Sequence, residues 1–405
     1  MLNQYYIPDI ASSGQLLSEL CEGLVSKGHA VTVVTAQPSY LEGVPDQPSR
    51  EVINGVKVIR TSMLRTKGRG NLGKRISGYV RFLFQSWFAV RNELKLETYD
   101  VVMTLSNPPF VGVLGALISK KYNLPYYCVI YDIHPDIVRE SQWISLPEFL
   151  FDIWNRLMIW VIGVSAKVIV LSERMKLTVS ESKLVPLEKI EVIPVWATPE
   201  LVKFESSRPK DDVRHQLGIP DGSLLIISAG NVGIMQPVEV ILNVAERIST
   251  LPLHILFLGG GSNWESVTNE AKNRKIDNVS FLPYQPIEFF KEIICSSDAC
   301  IVSLGKGFEK YSVPSRAFTF FSAAKPVISV MERDSDIADI VLNNDCGWHA
   351  NGESELKSIF EEIVGPDTDL VTMGENGRKL YLSMYNKDLV VDKFDSMFAC
   401  VEKRL

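Results

Sequence analysis

Short β-branched runs, each followed by a turn and a helix-length amphipathic stretch, recur along the chain in two series. Val31-Thr32-Val33-Val34-Thr35, Val101-Val102-Met103-Thr104, Tyr126–Tyr131, Val168-Ile169-Val170-Leu171 and Ile190-Glu191-Val192-Ile193 form the first. Leu224–Ser228, His254–Leu258, Val279–Leu282, Ala299–Val302 and Pro326–Val330 form the second. Runs that are apolar on both faces and separated by helix-length spacers belong to parallel sheets covered by helices on both sides. The pattern predicts an α/β chain of two doubly wound domains. Pro194–Gly222, with Pro199, Pro209, Pro220 and the charged Lys210-Asp211-Asp212, interrupts the rhythm and reads as a connection with one short helix. A length of 405 residues suits two such domains. The first series opens oddly: only Met1-Leu2 precedes polar Asn3-Gln4, so its first strand is either cut short or begins upstream.

Composition removes several function classes. With 46% apolar or aromatic and 22% charged residues the chain can bury large cores, which excludes intrinsic disorder. A net charge of −6 gives no electrostatic footprint for nucleic acid, so no DNA or RNA partner is expected. Six scattered cysteines without a C-x-x-C pair, and five histidines without ligand spacing, predict neither a disulfide framework nor a metal site. Residues 1–18 lack the basic start and apolar run of a secretory leader. The uncharged stretch Val101–Ser119 is split by Asn107-Pro108-Pro109 into a strand and a helix. A soluble or peripheral protein is expected.

Several segments carry chemistry-bearing residues at the carboxyl ends of predicted strands, where open α/β sheets bind ligands. Gly230-Asn231-Val232-Gly233 leads into a helix over Pro237–Arg247; it fits a phosphate cradle and equally a ligand-free tight turn. Gly259-Gly260-Gly261 is either a second close-approach loop or a flexible turn. Gly305–Arg316 gathers Lys306, Glu309, Lys310, Ser315 and Arg316, a set suited to an anion that carries hydroxyl groups. In the first half, Ser12 or Ser13 is a candidate cap for a helix over Leu16–Lys27, beside Gly14. Asp132, His134 and Asp136 cluster after a strand, facing a cleft or closing a capped turn, whereas His29 reads as structural. From Val52 to Asn92 there are nine Lys or Arg and no acid, and Ile76–Val90 adds Tyr79, Phe82, Phe84, Trp87 and Phe88. Such a stretch either rests on an anionic membrane or packs its aromatic stripe into the core.

In order and spacing these segments resemble a family 4 retaining glycosyltransferase of the GT-B architecture. The resemblance covers nearly the whole chain. It is carried by Gln4-Tyr5-Tyr6-Ile7-Pro8-Asp9 with its Ser-Gly loop, Gly28-His29-Ala30-Val31-Thr32-Val33, and Tyr131-Asp132-Ile133-His134-Pro135-Asp136. Val192-Ile193-Pro194-Val195-Trp196, Gly230-Asn231-Val232-Gly233 and Val313-Pro314-Ser315-Arg316 follow, then Ala323-Ala324-Lys325-Pro326-Val327. Transferases of O-antigen and capsule assembly, including the fucosamine-transferring type, look most similar.

The resemblance implies two Rossmann-like doubly wound domains with a cleft between them. They are an acceptor-side domain over 1–197 and a nucleotide-sugar domain over 198–386, with a helix over 387–405 crossing back to the first. It implies a UDP-sugar donor on Gly230, Asn231, Gly233, Ser315 and Arg316, with Leu282 and Pro283 by the base and Gly14 facing the donor. Asp132, His134 and Glu309 take catalytic or orienting roles, and no metal or cofactor is expected. The family often has a second glutamate after the proline of this loop; here Ala317 and Thr319 stand at those positions, so Thr319 inherits the ribose contact. Arg316 stands where Lys is common, and Ala324 where the family commonly has Gly. The implied acceptor is a polyprenyl-diphosphate-linked or other cell-envelope glycan. The implied place is the cytoplasmic face of the inner membrane, with the basic 52–92 stretch on its anionic surface. Two other readings share the fold: a UDP-sugar 2-epimerase, and a non-catalytic membrane-associated subunit.

Overall fold

The structure is a computed structural model that describes residues 1–9, 11–39, 44–62, 72–142, 144, 146–197, 204, 206 and 208–402. The chain divides into two compact units. Unit 1 comprises Met1–Asp136, Ser145–Pro194 and Lys387–Leu405; unit 2 comprises Ile137–Ile144 and Val195–Asn386.

In unit 1 the strands are β1 (Thr32–Ala36), β2 (Arg50–Ile53), β3 (Val56–Thr61), β4 (Val102–Thr104), β5 (Tyr126–Val129), β6 (Lys167–Val170) and β7 (Ile190–Val192). They form the rows β2-β3-β1 and β4-β5-β6-β7, parallel except for β2 against β3. Leu2 joins the rows, bridging in parallel to Val34 on one side and Thr104 on the other. The expected first strand is thus present as a single bridging position, with Leu2 buried.

The helices of the first half are α1 (Ser12–Ser26), α2 (Leu72–Glu93), α3 (Val111–Tyr122), α4 (Asp136–Ser141), α5 (Glu148–Val164) and α6 (Glu173–Lys183). The first helix begins four residues before the expected Leu16, with Ala11 at the cap position and no side-chain cap bond. Ser13 Oγ instead accepts from Asn107 Nδ2 at 3.1 Å.

Unit 2 holds β8 (Leu224–Asn231), β9 (Leu253–Gly260), β10 (Val279–Pro283), β11 (Ala299–Ser303), β12 (Val327–Val330) and β13 (Gly347–Ala350). They form a parallel sheet of order β10-β9-β8-β11-β12-β13. The order reverses direction between β8 and β11, the topological switch where such sheets bind ligands. Its helices are α7 (Lys210–Gln216), α8 (Val238–Arg247), α9 (Trp264–Asn273), α10 (Ile287–Ser296), α11 (Arg316–Ser322), α12 (Asp336–Asn343), α13 (Glu353–Ile363) and α14 (Leu370–Leu380). Ile226, Ile255, Phe257 and Ile328 are fully buried in the core between them. The final helix, α15 (Lys387–Glu402), packs on α1 in unit 1. Among the described residues no helix is long and apolar enough to cross a membrane.

Candidate active site

The switch point of unit 2 is shaped by glycines. β8 and β9 pair in register to their ends, with Gly230 opposite Gly259 and Asn231 opposite Gly260. Gly230 (φ +118°), Gly259 (φ +148°) and Gly261 (φ +142°) all have backbone conformations that favour glycine. A β-carbon on Gly259 would lie 2.0 Å from the Gly230 carbonyl oxygen, and one on Gly261 would lie 2.3 Å from that of Val232. Gly259-Gly260-Gly261 is therefore a buttress: it lets its backbone press against the loop after β8, and Gly260 O accepts from Val232 N at 2.6 Å.

Arg316 opens α11 and lies directly over Gly230, where a β-carbon would fall 1.5 Å from the guanidinium carbon. Beside this contact is a cavity of about 170 Å³ lined by Ser228, Gly230, Asn231, Gln236, Ser315 and Arg316. Apolar side chains, among them Val232, Val238, Ile301 and Val313, form the rest of its wall, and Arg316 is its one cation. Such a site suits an anion: the guanidinium offers several N–H donors in a planar fork, and serine and amide groups add neutral hydrogen bonds. Asn231 Oδ1 is buried without a hydrogen-bond partner among the described residues.

The cavity brings Gly230, Asn231, Ser315 and Arg316 together. Gly233, Leu282, Pro283, Glu309 and Thr319 do not line it. Gly233 N donates to Gln236 Oε1 at 2.9 Å, closing the loop on itself. Leu282 and Pro283 end β10, the edge strand beside β9. Thr319 sits one turn after Arg316 on α11, half-buried. Glu309 is 5% exposed, and its carboxylate accepts from Gly307 N at 2.8 Å and Glu332 N at 3.4 Å. These bonds tie the loop after β11 to the end of β12. Gln236, which lines the cavity, was not singled out from the sequence; its spacing, three residues after Gly233, was the available signal.

Unit 1 holds a second polar cluster at the end of β5. The His134 ring stacks on Trp154 of α5, with centroids 5.8 Å apart and planes 14° from parallel. Burial lowers the His134 pKa, and Lys183 lowers it further, while Asp132 and Asp136 oppose the shift without cancelling it. Lys183, 1% exposed, pairs with Asp136 and donates to Asn155 Oδ1 at 2.6 Å. Buried charge is retained only when paired and hydrogen-bonded, and this pair anchors the start of α4. Gly14 packs the first turn of α1 against the chain at Tyr5 and Tyr6, where a β-carbon would meet backbone atoms at 3.1 and 3.2 Å. His29 is structural as expected: its Nε2 lies 2.7 Å from Asp395 Oδ1 on α15.

Residues 13–196 match the glycosyl transferase 4-like domain. The probable glycosyltransferase WbjE of Pseudomonas aeruginosa is 23% identical over 342 residues, covering 83% of each chain. The putative colanic acid biosynthesis glycosyl transferase WcaI of Escherichia coli K12 is also 23% identical, over 350 residues and 83% of each. Among solved structures, the sucrose-phosphate synthase of Thermosynechococcus elongatus has a TM-score of 0.78 at 15% identity, covering 100% of this chain and 99% of its own. Anabaena HepE in complex with UDP-glucose has a TM-score of 0.71 at 12% identity, covering 98% of both chains. The domain match falls on the first half of the chain, and the fold likeness runs its full length. The first half of the chain thus resembles the glycosyl transferase 4-like domain, and the whole chain has the GT-B fold of these solved structures.

Proposed function

We propose that the protein moves a sugar, with retention of configuration, from a UDP-sugar to a polyprenyl-diphosphate-linked or other cell-envelope glycan. The observation that carries the donor is the Arg316 guanidinium over Gly230, at the edge of a cavity on the switch point of unit 2. The likeness to HepE, whose structure holds UDP-glucose, supports a uridine donor. The likeness to a relative named for colanic acid biosynthesis supports an envelope glycan. Acceptor delivery at the cytoplasmic face of the inner membrane fits the cations of the 52–92 stretch.

The chemistry follows from charge. As the bond from the anomeric carbon to the diphosphate breaks, negative charge grows on the departing phosphate, and Arg316 stabilises it in place of a metal. The acceptor hydroxyl attacks from the face the leaving group vacates, and a phosphate oxygen takes its proton. Catalysis is then positioning plus charge stabilisation. In unit 1, neutral His134 and Asp132 orient the sugar or the acceptor. Gly230, Asn231 and Ser315 hold the donor beside Arg316 in the cavity, with Gly233 and Thr319 supporting the loop and helix that carry them and Leu282 and Pro283 toward the base end.

The test is donor-dependent transfer to lipid-linked acceptors extracted from bacterial membranes. Arg316→Ala is expected to lower transfer by about a hundredfold or more. Unchanged transfer in Arg316→Ala contradicts the donor site. Epimerised UDP-sugar formed without acceptor contradicts the reaction.

A further inference from the structure

The strand order of unit 1 fixes where its next helices lie. The connections β3 to β4, β4 to β5 and β5 to β6 all advance in one direction across the sheet. Right-handed crossovers then place α2, α3 and α5 on the same face, with α3 in the middle. Two lysines at the end of α3 mark the packing. Lys121 Nζ lies 5.1 Å from the centre of the Trp87 ring on α2, and Lys120 Nζ lies 5.5 Å from that of Trp160 on α5.

The outer surface of these helices is not the polar one expected of a solvated layer. On α2, Ile76, Val80, Phe84 and Phe88 recur every four residues and are all exposed, Phe84 at 65%. Phe84 and Phe88 stack edge to face with centroids 4.8 Å apart. Leu117 on α3 and Ile153 on α5 are likewise exposed. An apolar set spread over three adjacent helices marks an interaction surface, not scattered exposure.

Charge says what kind. Among the described side chains of α2, α3 and α5 there are five Lys or Arg and three acids, in a chain of net charge −6. One of the acids, Glu93, is buried and paired with Arg50 and Lys57. A second copy of this chain would bring the same cations face to face across a two-fold axis, which opposes self-association. An anionic lipid surface complements both the charge and the apolar stripe.

We propose that the α2–α3–α5 face docks on an anionic bilayer, with Phe84, Phe88, Leu117 and Ile153 entering the headgroup boundary and Lys120 and Lys121 on the lipid phosphates. The inference deepens the membrane-side acceptor proposed above and rests on that reading for its purpose. It also moves the contact away from the β2–β3 part of the 52–92 stretch. There Lys57 is held by Glu93 and Glu97, and Arg60 by Glu51.

The experiment is co-sedimentation of the full chain with vesicles of phosphatidylcholine alone, and with equal parts of phosphatidylglycerol. Binding to the anionic vesicles only is expected, weakening at high salt. Lys120→Glu with Lys121→Glu is expected to weaken binding by about tenfold or more. The same charge change at exposed Lys272 and Lys275, in unit 2, leaves it unchanged. Phe84→Ser with Phe88→Ser weakens binding while the melting temperature is kept, because both side chains are exposed. The inference is overturned if both vesicle types bind alike, if both lysine double variants bind equally, or if light scattering shows a dimer that Phe84→Ser with Phe88→Ser abolishes. A chain that binds anionic vesicles through this face yet transfers no sugar to a lipid-linked acceptor overturns the acceptor reading and leaves the docking face standing.

Discussion

Gly230 and Arg316 constrain each other. The positive φ of Gly230 admits few side chains, and the guanidinium occupies the space a β-carbon needs. Gly230→Ala is therefore expected to displace Arg316, weaken UDP binding by roughly tenfold or more, and cost about 1–2 kcal/mol of stability. Calorimetric titration and urea denaturation read the two effects. The opposite change is expected at Ala324, which sits in the left-handed region at φ +53°. Ala324→Gly is expected to stabilise the chain by up to about 1 kcal/mol, seen as a higher melting temperature. Its neighbour Lys325 is buried and donates to the carbonyls of Cys295 and Ser297 at 2.8 and 2.7 Å, which closes the end of α10. That stretch of family resemblance serves the fold here, not the ligand.

Protonation at His134 gives a signed prediction. Burial lowers its pKa below the ordinary value near 6.5. Between the two values the unfolded chain binds a proton that the folded chain refuses, so stability falls as pH drops below about 6.5. Each such imidazole contributes a slope of up to about 1.4 kcal/mol per pH unit. His254 and His349, also lowered by burial, add to it. Urea midpoints measured from about pH 7 to about pH 5 should fall, and His134→Asn should flatten the curve. At this scale the sequence was half legible. Residue types at strand ends pointed to Gly230, Ser315 and Arg316. Nothing in the spacing showed that Glu309 spends its carboxylate on the amides of Gly307 and Glu332, because that depends on how the loop after β11 folds back on β12.

Among the elements, α15 shows how one glycine admits a helix. A β-carbon on Gly23 of α1 would meet Val391 at 2.5 Å, and Val390, Val391 and Phe394 are all buried. Lys27 pairs with Asp392 at 2.5 Å and His29 with Asp395. Gly23→Ile is expected to push α15 away and cost about 1–3 kcal/mol, with faster hydrogen exchange along α15 as the readout. Strands apolar on both faces were legible because burial on two sides leaves an unbroken β-branched run. The hairpin β2–β3 was not recovered, although Asn54 and Gly55, both at positive φ, supply a strong two-residue turn signal. Its outer strand is half exposed and charged, so the apolar rhythm skips it. β13 was missed for a related reason: Gly347-Trp348-His349-Ala350 lacks a β-branched run and is ordered by its pairing with β12.

For the whole molecule, the doubled rhythm of strands predicted an α/β chain of doubly wound domains, the resemblance to a known family implied the GT-B fold, and the likeness to solved structures agrees with that fold. What the rhythm left open was where ligands bind. That is set by the reversal between β8 and β11, a feature of strand order that periodicity does not contain. The central claim, a uridine diphosphate donor at that reversal, is tested most directly by thermal unfolding with UDP, GDP, ADP and NAD in parallel. UDP at about a hundred times its dissociation constant should add roughly 2.7 kcal/mol of stability to the wild-type chain and far less to Arg316→Ala. An equal shift with NAD, no shift with UDP, or an undiminished shift in Arg316→Ala would contradict the account.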